Sequence, residues 1–274
     1  MSAKSLDIET RLFVDALYQK YHYDFRAYAA DSLKRRLGLA LSRFGCETLS
    51  QLQDRILRDP GAFPALLEYL TVQVSDLFRE PASFGAIRER VVPILRTYPS
   101  VKIWVAGCST GEEAYSLAIL LREEGLLARS LIYATDINAG ALKRAEAGFY
   151  DIERVAAFSE NHRRSGAKSS LSEHYAAADG RAVFDKALRQ SIVFSDHSLA
   201  TDSVFAEVQL VACRNVLIYF NRELQDRAVG LFRESLCHGG FLWLGLGDSL
   251  RFSAWADGFR ELAPAGRIFQ KVGS

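Results

Sequence analysis

The chain has 274 residues, of which 49% are hydrophobic and 24% charged, and a formal net charge of +1, so it suits a globular protein of one or two domains and shows no global pull toward nucleic acid. Cys46, Cys108, Cys213 and Cys237 lack the paired spacing of a zinc site or a disulfide framework and read as small buried residues in a reducing compartment. Met1 to Thr10 contains no signal-type apolar core and no run of about 18 apolar residues occurs, so the expectation is a cytoplasmic protein without membrane insertion.

Residues 1–82 carry helical spacing throughout. Leu12, Phe13, Ala16 and Leu17 come first, then Leu33, Leu37 and Leu41, then Leu49, Leu52 and Ile56, then Phe63, Leu66, Leu67 and Leu70, with Gly45, Pro60 and Gly61 between them. This predicts a small all-helical domain whose acidic and basic residues balance. Lys34-Arg35-Arg36 is locally dense, and reads either as a solvated helix face or as a docking face for an acidic helical partner. The domain closes on Gln73-Val74-Ser75-Asp76-Leu77-Phe78-Arg79, where the planar fork of Arg79 can hold a carboxylate through two parallel hydrogen bonds. Pro81 to Ser100 predicts a linking helix broken by Pro93.

The run Val101 to Ala106 suits a buried parallel strand. It breaks at Gly107, passes through a small-residue turn to Gly111, and resumes with helical spacing at Leu117, Ala118, Leu120 and Leu121. Glycine lets a ligand approach such a loop closely, and Asp136, at the end of the next apolar run, can accept from both ribose hydroxyls of a nucleoside. The loop departs from Gly-x-Gly-x-x-Gly, and Glu112 and Glu113 at the helix start would repel a pyrophosphate but suit an ammonium group. A nucleoside joined to an amino acid meets these conditions, as S-adenosylmethionine does; an ordinary capped strand–turn–helix unit is the alternative.

Further on, Arg163 to Ser170 predicts a mobile loop, and Asp179-Gly180 a turn between two short strands. Ile192-Val193-Phe194 predicts a strand that leads into His197-Ser198-Leu199. Val208 to Cys213 predicts a strand with Arg214, Asn215 and Tyr219 beyond its C-terminal end, where ligands bind in open α/β sheets. Tyr219 reads either as a site residue or as a core tyrosine. Cys237-His238 near Cys213 is too irregular for a metal site, and none is expected.

Three motifs together, Cys108-Ser109-Thr110-Gly111-Glu112-Glu113-Ala114-Tyr115-Ser116, Ala134-Thr135-Asp136-Ile137-Asn138 and Cys213-Arg214-Asn215-Val216-Leu217-Ile218-Tyr219-Phe220, resemble the CheR family of chemoreceptor glutamate methyltransferases. The likeness extends from about residue 20 to the C-terminus, and Gln73 to Arg79 resembles the family's Asn-x-Thr-x-Phe-Phe-Arg stretch with departures at Gln73, Ser75 and Leu77. The resemblance implies a helical domain over 1–82, then a doubly wound, seven-stranded class I methyltransferase sheet over 83–274 with a small antiparallel β-subdomain inserted at about 170–195. It further implies S-adenosylmethionine as methyl donor and S-adenosylhomocysteine as product. Gln73, Ser75, Arg79, Gly107, Glu112, Glu113, Asp136, Ser198, Leu199, Arg214 and Asn215 would contact the cofactor, with Ser198-Leu199 and Arg214-Asn215 on the adenine side; Ser198 replaces the family's asparagine.

Arg79 and Tyr219 would orient the target glutamate, which forms a γ-methyl ester. A glutamate with a reference pKa of about 4.3 is already ionised near neutral pH, so positioning can replace a general base. The partner implied is the cytoplasmic helical domain of a chemoreceptor, with the chain a monomer that does not use a receptor tether, its Asp179-Gly180 turn being short. The alternative is a non-catalytic signalling module that binds S-adenosylmethionine or S-adenosylhomocysteine.

Overall fold

The computed structural model describes residues 3–251 and 253–273. Helices α1 (Ala3–Tyr21), α2 (Ala30–Phe44), α3 (Leu49–Arg58) and α4 (Ala62–Leu70) pack around one core that contains Phe13, Leu17, Phe25, Leu37, Leu52, Ile56 and Leu66. Leu12, expected inside, is 53% exposed, because the buried stripe runs through Phe13, Val14 and Leu17 instead. Gly45 ends α2 in a left-handed conformation (φ +64°) and Thr48 caps α3 by accepting from the Gln51 N–H.

Leu77 and Phe78 leave this core and join the one beneath the sheet. The linking segment is α5 (Pro81–Ala86), a π turn (Ile87–Val91) and α6 (Val92–Leu95). Pro93 has no N–H to donate, and its ring crowds the carbonyl four residues back, so the preceding turn widens rather than ending the helix.

The main sheet has seven strands in the order β6-β2-β1-β7-β8-β10-β9: β1 (Val101–Ala106), β2 (Ser130–Asp136), β6 (Ile192–Asp196), β7 (Val208–Cys213), β8 (Leu236–Leu244), β9 (Phe259–Ala263) and β10 (Ile268–Lys271). The strands β6, β2, β1, β7 and β8 run parallel, and β10 runs antiparallel to both β8 and β9. Alternation along β1 sends Ile103 and Val105 to the face covered by α7 (Glu112–Glu123), and Trp104 and Ala106 to the face covered by α11 (Arg222–Ser235). A three-stranded antiparallel sheet of β3 (Phe149–Asp151), β5 (Arg181–Phe184) and β4 (Tyr175–Ala178) stands apart; α8 (Ala139–Ala147) precedes it, and α10 (Lys186–Gln190) leads out of it. This small sheet borrows β3 from upstream of the 170–195 segment, while Ile192–Asp196 pairs with β2 at the edge of the main sheet.

The segment expected to be a mobile loop is tied down. Arg163 and Arg164 finish α9 (Val155–Arg164), Ser165 is fully buried, and Lys168 and Ser169 bond the carboxylates of Glu124 and Glu123. The anchors lie more than forty residues away at the C-terminal end of α7, which a local reading of polar composition does not register.

Candidate cofactor and active site

The C-terminal ends of β1, β2, β6 and β7 open into a cleft of about 1100 Å³, part of it open to solvent, that the helical domain covers from above. Two sets of backbone bonds fix that cover: Ala29 N–H donates to the Tyr219 carbonyl at 2.8 Å and Asn221 N–H to the Ala27 carbonyl at 2.9 Å, around an antiparallel bridge of Tyr28 with Phe220. The Tyr28 and Phe220 rings meet edge to face at 5.1 Å.

The floor is the turn between β1 and α7. Gly107 (φ +73°), Ser109 (φ +51°) and Gly111 (φ +91°) are left-handed, and a Cβ at Gly107 would lie 2.6 Å from Val216 Cγ2. Glycine is therefore required there by conformation and by space. Gly107 and Cys108 N–H both donate to the Thr135 carbonyl, and Ser109 N–H donates to Asp136 Oδ2 at 2.9 Å, so the turn is latched to the end of β2. Asp136 also accepts from Asn138 N–H at 2.9 Å, with the Ile137 N–H directed at the same carboxylate, and it lines the cleft where a ligand can reach it. Burial pushes its pKa up against the pull of the backbone donors.

The two glutamates at the start of α7 part company. Glu113 lines the cleft, and its Oε2 accepts from Arg214 at 2.8 Å; burial raises its pKa and Arg214 opposes the rise. Glu112 is fully buried and turned away, bonded to Thr110 Oγ1 at 2.7 Å and to Arg154 at 3.0 Å. Consecutive helical residues point about 100° apart, so the expected contact of Glu112 with a cofactor is corrected: its carboxylate secures Arg154, which also bonds the Ser75 carbonyl.

Arg79 sits between two left-handed residues, Phe78 (φ +52°) and Glu80 (φ +59°), a strained arrangement held by buried partners. Phe78 N–H donates to Ser116 Oγ at 2.8 Å, and Glu80 accepts from Arg214 and Asn215. The Arg79 side chain lines the cleft and has only a long bond to the Val74 carbonyl at 3.5 Å, with no carboxylate in pairing distance among the described residues. Gln73 and Ser75 line the same wall, Gln73 accepting from Ser109 Oγ at 3.0 Å. Tyr219, half-buried at the end of a 3₁₀ turn (Leu217–Tyr219), also lines the cleft.

Ser198 and Leu199 follow β6, whereas Arg214 and Asn215 follow β7, and β2 and β1 stand between those strands. The two pairs therefore face different ends of the cleft, which corrects the expectation that Arg214 and Asn215 share the adenine side. The Arg214 side chain is 1% exposed, donates to Glu113, Glu80 and the Arg79 carbonyl, and lies over the Trp243 ring at 4.4 Å. It is a strut for the cleft wall.

Several residues of the site were not singled out by motif. Asp248 accepts from the Asn215, Gly245 and Ile218 N–H groups and so shapes the loop of Tyr219, yet it lies beyond β8 in an unpatterned stretch. Arg36 reaches the cleft from α2, a signal present in the sequence because Arg36 follows Leu33 by three and precedes Leu37 on the buried side of the helix. Lys34 points elsewhere and pairs with Asp7.

A parallel sheet with one antiparallel hairpin at β10, a glycine turn after β1, an acidic residue ending β2 and a roofed cleft define a class I methyltransferase. A family model described as the CheR methyltransferase SAM-binding domain matches residues 73–261, and one described as the CheR methyltransferase all-alpha domain matches residues 8–71. A Pseudomonas putida protein called Cher3 is 57% identical over 98% of this chain and 99% of its own length. A chemotaxis protein methyltransferase of Listeria monocytogenes is 31% identical over 81% of this chain and 82% of its own, and one of Pseudomonas aeruginosa 28% identical over 91% and 92%. The chain belongs to the CheR methyltransferase family and carries that family's S-adenosylmethionine-binding domain.

The residues present fit that cofactor. A buried carboxylate with open lone pairs suits a ribose, Glu113 suits an ammonium, and Leu199 and Ile137 supply apolar walls. Among the described residues no helix is long and apolar enough to cross a membrane.

Proposed function

We propose that this protein methylates glutamate side chains on the cytoplasmic helical domain of a chemoreceptor, forming γ-glutamyl methyl esters, and that it acts in the cytoplasm as a monomer. The observation that carries the reading is the cleft itself: Arg79, with no carboxylate in pairing distance among the described residues, and Tyr219 line the same cleft as Asp136 and Glu113. S-adenosylmethionine, when bound, supplies an electrophilic methyl group.

Gly107 to Ser109 and Glu113 would hold its methionyl part, Asp136 its ribose, and Ser198-Leu199 its base, with Gln73 and Ser75 along the adjoining wall. Arg79 and Tyr219 would orient the glutamate carboxylate, which is ionised at neutral pH and needs no residue to take its proton. The roof formed by Tyr28 and Phe220 keeps water away from that carboxylate, so each hydrogen bond to it is stronger than in bulk solvent. The tight Asp179-Gly180 turn of the small sheet supports a mode that does not need a receptor tether.

The test is incubation with methyl-labelled S-adenosylmethionine and membranes that carry chemoreceptors. Alkali-labile label on the receptor, released as methanol, supports carboxyl methylation. Cofactor binding by calorimetry with no labelled receptor would instead favour a module that binds S-adenosylmethionine or S-adenosylhomocysteine without transfer.

A further inference from the structure

Tyr28 lines the cleft from the helical domain, two residues before α2 begins at Ala30. Its ring is fixed on two sides, edge to face against Phe25 at 4.8 Å and against Phe220 at 5.1 Å. The hydroxyl has no hydrogen-bond partner among the described residues, whereas those of Tyr21, Tyr115 and Tyr150 donate to backbone carbonyls at 2.6, 2.9 and 2.7 Å. A rigidly held ring with an unused hydroxyl on the wall of a binding cleft is a group set for a ligand.

The end of β2 is drawn up to the same domain. Asn138 Nδ2 donates to Thr71 Oγ1 at 2.9 Å, just beyond α4, and Ile137 packs against the helical core that Tyr28 also touches. Asp136 directly precedes these two residues and lines the cleft with Tyr28. Burial raises the pKa of the Tyr28 phenol, and the charge of Asp136 raises it further, so the oxygen keeps its proton and stays a donor.

That donor complements Asp136. An ionised carboxylate only accepts, so ribose hydroxyls that donate to it keep lone pairs that need a donor once water is displaced. The backbone donors nearby are engaged: Ser109 and Asn138 N–H on Asp136, Gly107 and Cys108 N–H on the Thr135 carbonyl. The Tyr28 hydroxyl is not.

We infer that Tyr28 is a cofactor-binding residue of the helical domain: its hydroxyl donates to a ribose hydroxyl that itself donates to Asp136, so that the nucleoside is held between the two domains. The inference rests on the placement of the ribose at Asp136 in the proposed function and involves no receptor. One neutral hydrogen bond of this kind corresponds to roughly threefold to tenfold in affinity.

The test is calorimetry on the full chain with S-adenosylhomocysteine and with its 2′,3′-dideoxy analogue, for wild type, Tyr28→Phe and Asp136→Asn. Tyr28→Phe keeps the ring contacts with Phe25 and Phe220, so thermal unfolding without ligand is expected to match wild type. Its affinity for S-adenosylhomocysteine is expected to fall about threefold to tenfold, while its affinity for the dideoxy analogue stays within about twofold of wild type. The ratio of the two affinities therefore falls, which a merely structural role of Tyr28 would not produce.

Equal losses for the two ligands, or no loss for either, overturns the inference. A ratio lowered by Asp136→Asn but not by Tyr28→Phe overturns it and leaves the ribose where the proposed function puts it. A ratio lowered by neither variant removes both. A ratio lowered by Tyr28→Phe alone keeps the ribose contact of Tyr28 and overturns the shared hydroxyl, since Asp136 then has no part in it.

Discussion

Arg214 donates to Glu113 at 2.8 Å, joining the end of β7 to the first turn of α7 across the floor of the cleft. The same guanidinium donates to Glu80 Oε2 at 2.9 Å and to the Arg79 carbonyl at 2.7 Å, so one buried cation sets the position of two carboxylates and of the left-handed segment that carries Arg79. Removing it leaves Glu113 buried without its partner. Arg214→Met is therefore expected to cost about 3–5 kcal/mol in urea unfolding and to weaken S-adenosylhomocysteine binding. Adding Glu113→Gln should recover part of the stability, because of the two carboxylates that Arg214 paired only the less buried Glu80 is then left charged, while binding stays weak. A single variant as stable as wild type would show that Arg214 is not the strut described.

Gly107 meets two separate constraints, and they can be separated by mutation. Its φ of +73° disfavours any residue with a Cβ, and that Cβ would meet Val216 Cγ2 at 2.6 Å. Gly107→Ala is expected to lose about 1–3 kcal/mol of stability together with most cofactor affinity. In the Val216→Ala background the steric part disappears and the conformational part remains, so the cost of Gly107→Ala should fall there without vanishing. Equal costs in the two backgrounds, by thermal or urea unfolding, would show that the contact with Val216 plays no part.

How much of this was legible follows from where the information lies. The parallel strands, the glycine turn and Asp136 were readable because apolar runs, positive-φ residues and a polar strand end are local properties of the chain. Glu112 and Glu113 looked equivalent in sequence; only the packing of α7 against Arg154 on one side and Arg214 on the other separates them. The run Lys34-Arg35-Arg36 splits for the same reason, since helix phase sends Lys34 to Asp7 and Arg36 to the cleft. Arg163 to Ser170 has a loop's composition and a core segment's bonding, because its partners are carboxylates on a distant helix. Long-range pairing of charges leaves no periodic trace.

Asp136 makes cofactor affinity depend on pH. Burial holds its pKa above the ordinary carboxylate value, so protonation begins at a higher pH than for an exposed aspartate. A protonated carboxyl no longer accepts from two ribose hydroxyls, and S-adenosylhomocysteine affinity is expected to fall as pH drops through that raised pKa. Asp136→Asn should bind about tenfold to a hundredfold more weakly at pH 7.5 and show a flatter profile. The pKa of Glu113 is also raised by burial, and whatever slope remains in Asp136→Asn belongs to it. Calorimetry between pH 5 and 8 would decide; identical slopes in variant and wild type would remove Asp136 from the binding site.

Glu123 makes stability depend on pH in the acid range. Its side chain is 2% exposed, and burial alone would raise its pKa, but hydrogen bonds from His162, Ser169 and Arg88, with His174 close behind Ser169, outweigh that and hold the carboxyl far below the usual range. One ligating atom each of Glu123, His162 and His174 lies within 4.8 Å of the others, and Ser169 bridges Glu123 and His174 at 2.6 and 2.9 Å, so the donors converge on one anion. A group whose folded pKa is depressed contributes stability that is complete above its unfolded pKa of about 4.3 and lost as pH falls toward the folded value. The urea midpoint is thus expected to be flat near neutrality and to decline below about pH 5.

Glu123→Gln should unfold about 3–5 kcal/mol more easily at pH 7 and lose much of that acid dependence, because Arg88 and the histidines then face a neutral amide. Trypsin is also expected to cleave after Lys168 faster in this variant than in the wild type, because the Lys168 and Ser169 N–H groups and the Ser169 hydroxyl then lose their carboxylate acceptor. Equal cleavage of variant and wild type at that lysine would mean that the segment is held by something other than this carboxylate.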